Sequence, residues 1–263
     1  MSTISVARRR IETISKIRKV TETMKLIAAS KSVRIKPHFF ALTEFQKEMY
    51  QIIPFINIKP VKTETKKVLW ITFTSTMGMA GSYNLNIYRA ILKNINKDDQ
   101  VVCFGEKGAN FFSKKNLLLN SYSVNDSAIH FFHTKYSSDH IAQLYLKGKF
   151  SQIKMMYTKY NCKNETIELV NILPIDEKLI DSKKTKDESY VYEPSKEEIG
   201  KTILSLYVES LIHAALVESK LAEHTSRLNA MNNANNNIDD ILGTLHIQYN
   251  KLRQEKITKE VRK

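Results

Sequence analysis

Apolar residues recur at alternating steps of four and three through the last third of the chain, from Ser195 to Lys263. This stretch contains no proline, and its only glycines are Gly200 and Gly243. Such spacing over about five heptads predicts one long helix with an apolar seam for a partner helix. At 1.5 Å per residue that helix would be roughly 100 Å long, which is typical of a mechanical or spacing element. The predicted seam positions are Val217, Leu221, His224, Leu228, Met231, Asn235, Ile238, Leu242, Leu245, Tyr249 and Leu252.

A second amphipathic helix is predicted near the start of the chain, over residues 3–36. Pro37 is predicted to end or kink it at about Lys36, because proline cannot donate the helical hydrogen bond. Helical spacing then resumes until Pro54 and Pro60, so residues 1–60 form an N-terminal helical segment kinked near Pro37. Its apolar seam is predicted to comprise Ile11, Ile14, Ile17, Val20, Met24 and Ile27.

The pattern changes in the middle of the chain, where short apolar runs alternate with helical stretches. Strands are predicted at about 68–73, 101–104, 117–122, 152–160 and 166–172, the last two paired. This alternation predicts a small α/β domain over 66–175, followed by an exposed linker at 176–194 and the C-terminal helix at 195–263. The predicted fold class is therefore α/β plus coiled coil: an antiparallel coiled coil of the N- and C-terminal helices with an inserted small α/β sheet domain.

The positive charge lies mainly at the two ends of the chain. Of a net charge of +14, residues 1–36 contribute ten Lys or Arg against two Glu, and the last thirteen residues contribute six against two. If the two ends pair, they form one basic body that favours an acidic partner. Nucleic acid is an alternative partner, but no aromatic residues interleave the cations between Arg8 and Arg34 as stacking platforms would.

Several other classes of protein are disfavoured by the sequence. We expect no transmembrane segment, since no run approaches 18 uninterrupted apolar residues, and no secretory signal. The two cysteines lack metal-ligand spacing and are interpreted as free thiols. The histidines of the last helix show no i+3 or i+4 pairing with one another, so we predict no metal site. Gly78 and Gly81 follow a strand, but a plain turn is favoured over a phosphate-binding loop.

Six segments, in order along the chain, resemble motifs of a known family. Lys19–Lys31 (KVTETMKLIAASK) is similar to its N-terminal signature, and Tyr249–Thr258 (YNKLRQEKIT) is similar to its C-terminal one. The family is the gamma subunit, the central rotor shaft, of F-type rotary ATPases. The four segments between these are Phe104–Phe112 (FGEKGANFF), Tyr192–Pro194 (YEP), Tyr207–Ser210 (YVES) and Glu223–Ala234 (EHTSRLNAMNNA).

The resemblance implies a non-catalytic shaft that couples ATP hydrolysis or synthesis to rotation, and to proton transport if a membrane ring is attached. By matching motif positions, Arg253 and Gln254 would hydrogen-bond loops of the catalytic subunits. Met24, with Lys19 and Lys25, would face an acidic lever segment of those subunits. Glu209 would lie at the foot, towards any membrane ring.

The resemblance also implies the partners. They would be a hexamer of alternating catalytic and non-catalytic ATPase subunits, with an epsilon-type subunit and a membrane ring as further candidates. No cofactor would bind the chain directly, since ATP or ADP and Mg²⁺ would bind in the partner subunits. The chain would be neither a homo-oligomer nor a nucleic-acid-binding protein, and would lie peripherally on the cytoplasmic face of a bacterial membrane.

Two departures from the family pattern keep alternatives open. The turn Ser75–Asn84 (STMGMAGSYN) keeps the glycine spacing but lacks the Asp-Arg pair, and the chain ends at Lys263 without the usual apolar tail. One alternative is therefore a gamma-like shaft of a specialised F-type-like motor, for example in motility, that is not coupled to protons. A more remote alternative is a basic coiled-coil protein that binds nucleic acid or acts as a scaffold.

Overall fold

A computed structural model of the chain describes residues 3–52, 65–124, 132–160, 166–175, 193 and 195–261. The order of its elements follows the sequence prediction: a long helix, a set of strands and shorter helices, and a longer helix. Most of the predicted linker at 176–194 lies outside the described residues. The helices are α1 (Thr3–Ile52), α2 (Tyr83–Asn94), α3 (Glu106–Ser113), α4 (Phe132–Leu146) and α5 (Lys196–Val261). The strands are β1 (Val68–Phe73), β2 (Gln100–Phe104), β3 (Leu118–Tyr122), β4 (Gln152–Lys159) and β5 (Thr166–Leu173).

The chain divides into two compact units. Unit 1 contains residues Met1–Ser32 and His224–Lys263, and unit 2 contains Val33–Glu223. Both terminal helices contribute to both units. The compact unit that holds the sheet therefore also contains the second part of α1 and the first part of α5.

Unit 2 is organised around a five-stranded sheet with the order β3-β2-β1-β4-β5. The first four strands are parallel and β5 is antiparallel to β4, so the predicted pairing of the last two strands is confirmed. One face of the sheet packs Leu69, Ile71 and Phe73 against α4 and α5. The other face packs Trp70 and its neighbours against α2 and α3.

A buried carboxylate fixes the start of the sheet. Asp99, 3% exposed, accepts hydrogen bonds from the backbone N–H of Val68 (2.9 Å), the indole N–H of Trp70 (3.1 Å) and the backbone N–H of Asn96 (3.0 Å). It thereby ties the turn before β2 to the first residues of β1.

The helix α1 does not end at Pro37, so the expectation that the first helix stops near Lys36 is wrong. Pro37 lies inside the continuous span Thr3–Ile52, and the predicted kink stays a prediction. On either side of the proline, Ile35 and Phe39 pack against Val217 and Leu221 of α5 within unit 2. This packing stabilises the helix across the position where proline removes one backbone hydrogen bond.

Candidate functional site

In unit 1 the two terminal helices are joined by polar contacts that define their register. The Thr21 hydroxyl hydrogen-bonds Oδ1 of Asn235, and Nε of Arg18 lies 2.7 Å from Oδ1 of Asp239. From the first contact to the second, the residue number decreases on α1 (21 to 18) and increases on α5 (235 to 239). The two helices are therefore antiparallel, as the sequence predicted. Thr21 is 8% exposed, whereas Arg18 and Asp239 are about half exposed, so the polar layer extends from the seam to solvent.

The predicted seam of α5 is confirmed by burial. Between residues 235 and 261, only six residues are not exposed, and all six are predicted heptad positions: Asn235, Ile238, Leu242, Leu245, Tyr249 and Leu252. Ile238 and Leu245, one heptad apart, are 7% and 6% exposed. This half of the helix therefore presents one narrow stripe to its partner, as expected of a two-stranded coiled coil.

The predicted seam of α1 is partly wrong. Thr21 and Ala28 take the buried seam positions, with 8% and 0% exposure. The larger apolar residues beside them are 44% (Ile17), 54% (Val20) and 45% (Ile27) exposed. Small side chains let the two helices approach closely, and Thr21 also supplies a donor for Asn235. The displaced residues form an exposed apolar stripe on the outside of the pair.

The predicted catalytic-subunit contacts lie in unit 1 and reach its surface. Lys19 is exposed, and Met24 and Lys25 are half-buried beside the seam. Arg253 and Gln254 are both exposed on α5. These side chains are therefore available to a partner without unfolding of either helix.

The structure separates these residues into two groups along the helix pair. The Thr21–Asn235 contact places the Lys19–Lys25 segment of α1 beside the part of α5 around residue 235. Arg253 lies 18 residues further along α5, which is about 27 Å at 1.5 Å per residue. A partner assembly that touches both groups must therefore be extended along the axis of the pair.

Glu209 lies in unit 2 and is buried, with 5% exposure, on the part of α5 that packs against α4. Burial first, and then the negative charge of Asp139, raises the pKa of the Glu209 carboxyl, while Lys135 acts in the opposite direction. This burial was not predicted, because the family resemblance implied only that Glu209 lies at the foot, towards any membrane ring.

Three backbone N–H groups close to the end of β1, one in the turn that follows it and two in α3, are already engaged. Oδ1 of Asn84 accepts from the Ser75 N–H (3.0 Å), and Oγ1 of Thr74 accepts from the Gly108 N–H (3.0 Å). The Lys107 N–H donates to the Ser75 carbonyl (3.1 Å). These three N–H groups therefore have partners within the protein and are not open to a phosphate, while the plain-turn interpretation of Gly78 and Gly81 stays a prediction.

Two further sequence expectations concern metals and membranes. Within the described ranges, no group of three or more His, Cys, Asp or Glu residues is arranged to hold a metal ion. By length and composition alone, one described helix, Glu198–Val261, is apolar enough to cross a membrane. However, 59% of the most apolar 18-residue stretch of this helix is buried inside the protein. The core helix of a globular protein can have the same length and composition.

Comparison with known proteins identifies the family. The ATP synthase family model matches residues 3–262. The ATP synthase gamma chain of Mycoplasmopsis pulmonis is 32% identical over 271 residues, covering 99% of this chain and 97% of that protein. The gamma chain of Ureaplasma urealyticum is 32% identical over 282 residues, covering 98% and 96%. The chain belongs to the ATP synthase gamma family. The predicted resemblance is confirmed.

Solved structures support the fold of this gamma-family chain. A chain from the rotor of Euglena gracilis mitochondrial ATP synthase aligns with a TM-score of 0.75 and 18% identity, covering 97% of this chain and 99% of that one. A chain from the central stalk and c-ring of Tetrahymena thermophila mitochondrial ATP synthase aligns with a TM-score of 0.63 and 27% identity, covering 82% and 99%. The chain is thus a central-stalk rotor subunit of an F-type complex, and it is non-catalytic.

Proposed function

We propose that unit 1 is the axle of the motor and turns inside a hexamer of alternating catalytic and non-catalytic subunits. In this role it couples ATP hydrolysis or synthesis to rotation. The observation that carries the proposal is the antiparallel pairing of α1 and α5, with a polar layer at Thr21 and Asn235. Two helices with a fixed register resist twisting against each other, as an element that transmits torque must.

The contacts with the catalytic subunits are assigned to the two groups of unit 1 described above. Met24, Lys19 and Lys25 would face an acidic lever segment, and Arg253 with Gln254 would hydrogen-bond loops of the catalytic subunits. Exposure of Lys19, Arg253 and Gln254 supports this assignment. Exposed ion pairs are weak and screened by salt, so they suit a surface that must form and break contacts in each turn.

The nucleotides and Mg²⁺ would bind in the partner subunits. The carboxyl ends of β1 and β2, where open α/β sheets often hold phosphate, support this division because the Ser75 and Gly108 N–H groups there already donate to Asn84 and Thr74. The gamma-family chain would then bias partner subunits between open and closed states through contact alone.

Unit 2 would be the foot of the rotor, nearer any membrane ring and epsilon-type subunit. The complex would lie peripherally on the cytoplasmic face of the membrane. Glu209, predicted to face the ring side, is 5% exposed, so it would act on a partner through the helices that bury it. If a ring is attached, rotation would be coupled to proton transport.

Affinity purification of the full chain under mild conditions tests this function. We expect nucleotide-binding ATPase subunits to co-purify in stoichiometric excess over the shaft. Recovery of ring and stator subunits would support a synthase, and their consistent absence would favour the specialised motor that is not coupled to protons. Recovery of RNA or DNA in place of ATPase subunits would refute the shaft and favour the nucleic-acid interpretation.

A further inference from the structure

The helices α4 and α5 pack in unit 2 through a short ladder of polar groups inside an otherwise apolar interface. At one end the Ser205 hydroxyl donates to Oδ1 of Asp139. At the other end Thr134 Oγ1 lies 3.4 Å from Nδ1 of His213. Ser205, Glu209 and His213 are spaced four residues apart on α5 and therefore share one face of that helix. Glu209 is the middle group of the ladder.

The two ends of the ladder have hydrogen bonds, but the middle lacks one. Glu209 is 5% exposed, and its buried Oε1 has no hydrogen-bond partner among the described residues. The buried hydroxyl of Ser138 on α4 has none either. The charges that act on the Glu209 carboxyl are those of Asp139 and Lys135 on α4, and His213 lies one turn further along α5. The larger of the two charge effects on Glu209 therefore comes from another carboxylate.

An ionised carboxylate in this position is costly. A carboxylate oxygen that is buried without a hydrogen bond has lost its hydration, and the negative charge of Asp139 adds repulsion. Protonation of Glu209 removes both effects. Packing of α4 on α5 therefore favours the neutral form of Glu209, and separation of the helices, which would hydrate the carboxyl, favours the ionised form.

We propose that Glu209 is a proton-operated latch that holds α4 against α5 when it is neutral and loosens α4 when it is ionised. The latch goes beyond the proposed rotor function and does not depend on it, because it is a property of unit 2. In a rotor it would make the compactness of the foot respond to the local proton concentration.

The direction of the pH dependence follows from the raised pKa. The packed state binds the proton more tightly than the opened state, in which the carboxyl returns towards its ordinary value of 4.5. The stabilising contribution is complete below that value and is lost as the pH rises through the higher pKa of the packed state. The local opening of α4 should thus become easier with rising pH.

Amide hydrogen exchange of the full chain tests the latch. After correction for the intrinsic exchange rate, we expect protection of α4 amides to fall by up to about tenfold per pH unit as the pH rises from about 4.5 to the folded pKa. Helix α2 contains none of the ladder residues and serves as the internal control, with no matching transition. Protection of α4 that is flat across this range would overturn the proposal.

Three variants separate the latch from a purely structural role. Glu209→Gln keeps the size of the side chain and should abolish the transition in α4. Asp139→Asn should move its midpoint to lower pH, whereas Lys135→Gln should move it to higher pH. Lys135 is exposed, so its variant is expected to fold even if Glu209→Gln does not. An unchanged transition in Glu209→Gln, or shifts of the same sign in the other two, would refute the latch.

Discussion

The polar layer between α1 and α5 makes a specific prediction about register. Asn235 occupies a seam position where leucine would be the usual coiled-coil residue, and it accepts a hydrogen bond from Thr21. A single polar residue at such a position specifies alignment at some cost in stability. We predict that Asn235→Leu makes the helix pair more stable and its alignment less unique.

The size of the stability change can be worked from the contacts. The Thr21 hydroxyl also lies 2.9 Å from the Arg18 carbonyl and 3.3 Å from the Ile17 carbonyl, so the substitution leaves no buried donor unpaired. Half-burial of leucine contributes about 1 kcal/mol, and its higher helix propensity adds about 0.4 kcal/mol. Loss of the side-chain hydrogen bond removes about 1 kcal/mol. The net gain should be about 0.4 kcal/mol, measured by urea denaturation.

Disulfide trapping measures the alignment. Ile14 lies one heptad before Thr21, and Leu242 lies one heptad after Asn235, so they occupy equivalent places in the antiparallel register. In a background with both natural cysteines replaced by serine, cysteines at 14 and 242 should cross-link readily. Cysteines at 14 and 249 report a slip of one heptad, and should cross-link only when Asn235 is leucine.

Two outcomes would refute this reasoning. If Asn235→Leu gives no cross-link between positions 14 and 249, the polar layer does not define the register. If the substitution lowers the stability by more than about 1 kcal/mol, the hydrogen bond contributes more than is usual for a neutral pair. The seam variant Leu245→Ala is a matched control that should lower stability without changing register.

Four other substitutions follow from the structure. Gly243 has nothing within 4 Å of an added Cβ, so Gly243→Ala should raise the unfolding free energy by about 1 kcal/mol in thermal denaturation. Gly108→Ala is a control with the opposite sign and should lower the unfolding free energy, because the added Cβ would clash with the buried Cys103 sulfur. Asp99→Asn should cost about 2–3 kcal/mol in the same assay, since one amide oxygen cannot serve three donors. The double substitution Arg253→Ala with Gln254→Ala should reduce ATP turnover of the complex yet change chain stability by less than about 0.5 kcal/mol; unchanged turnover would remove both residues from the contact site.

The sequence predicted the second half of the α5 seam correctly because that stretch has one apolar stripe and no competing one. On α1 two apolar stripes lie side by side, and local spacing favoured the one with larger residues, Ile17 and Val20. The structure buries Thr21 and Ala28 because close approach and the partner group on Asn235 decide the seam. That choice depends on a residue more than two hundred positions away, which periodicity within one helix does not reveal.

The candidate site shows the same limit. Motif positions were sufficient to nominate Arg253 and Gln254, and an exposed position is what a polar helical residue near a chain end normally has. The burial of Glu209 and of Asp99 could not be inferred, since each depends on an element distant in sequence that packs over it. Burial of a charged group is set by tertiary contacts, and the residue type alone favours exposure.

The long separation in sequence of the two helical segments of unit 1 has a consequence for biosynthesis. Arg18 and Asp239 are 221 residues apart, so the first helix emerges from the ribosome well before its partner exists. At 5–20 residues per second this delay is roughly 11–44 s. During that interval the Thr21 and Ala28 face, together with Ile17 and Val20, is uncovered on a nascent chain. The ten Lys and Arg residues among residues 1–36 repel those of other nascent chains, and this repulsion opposes aggregation of the unpaired helix.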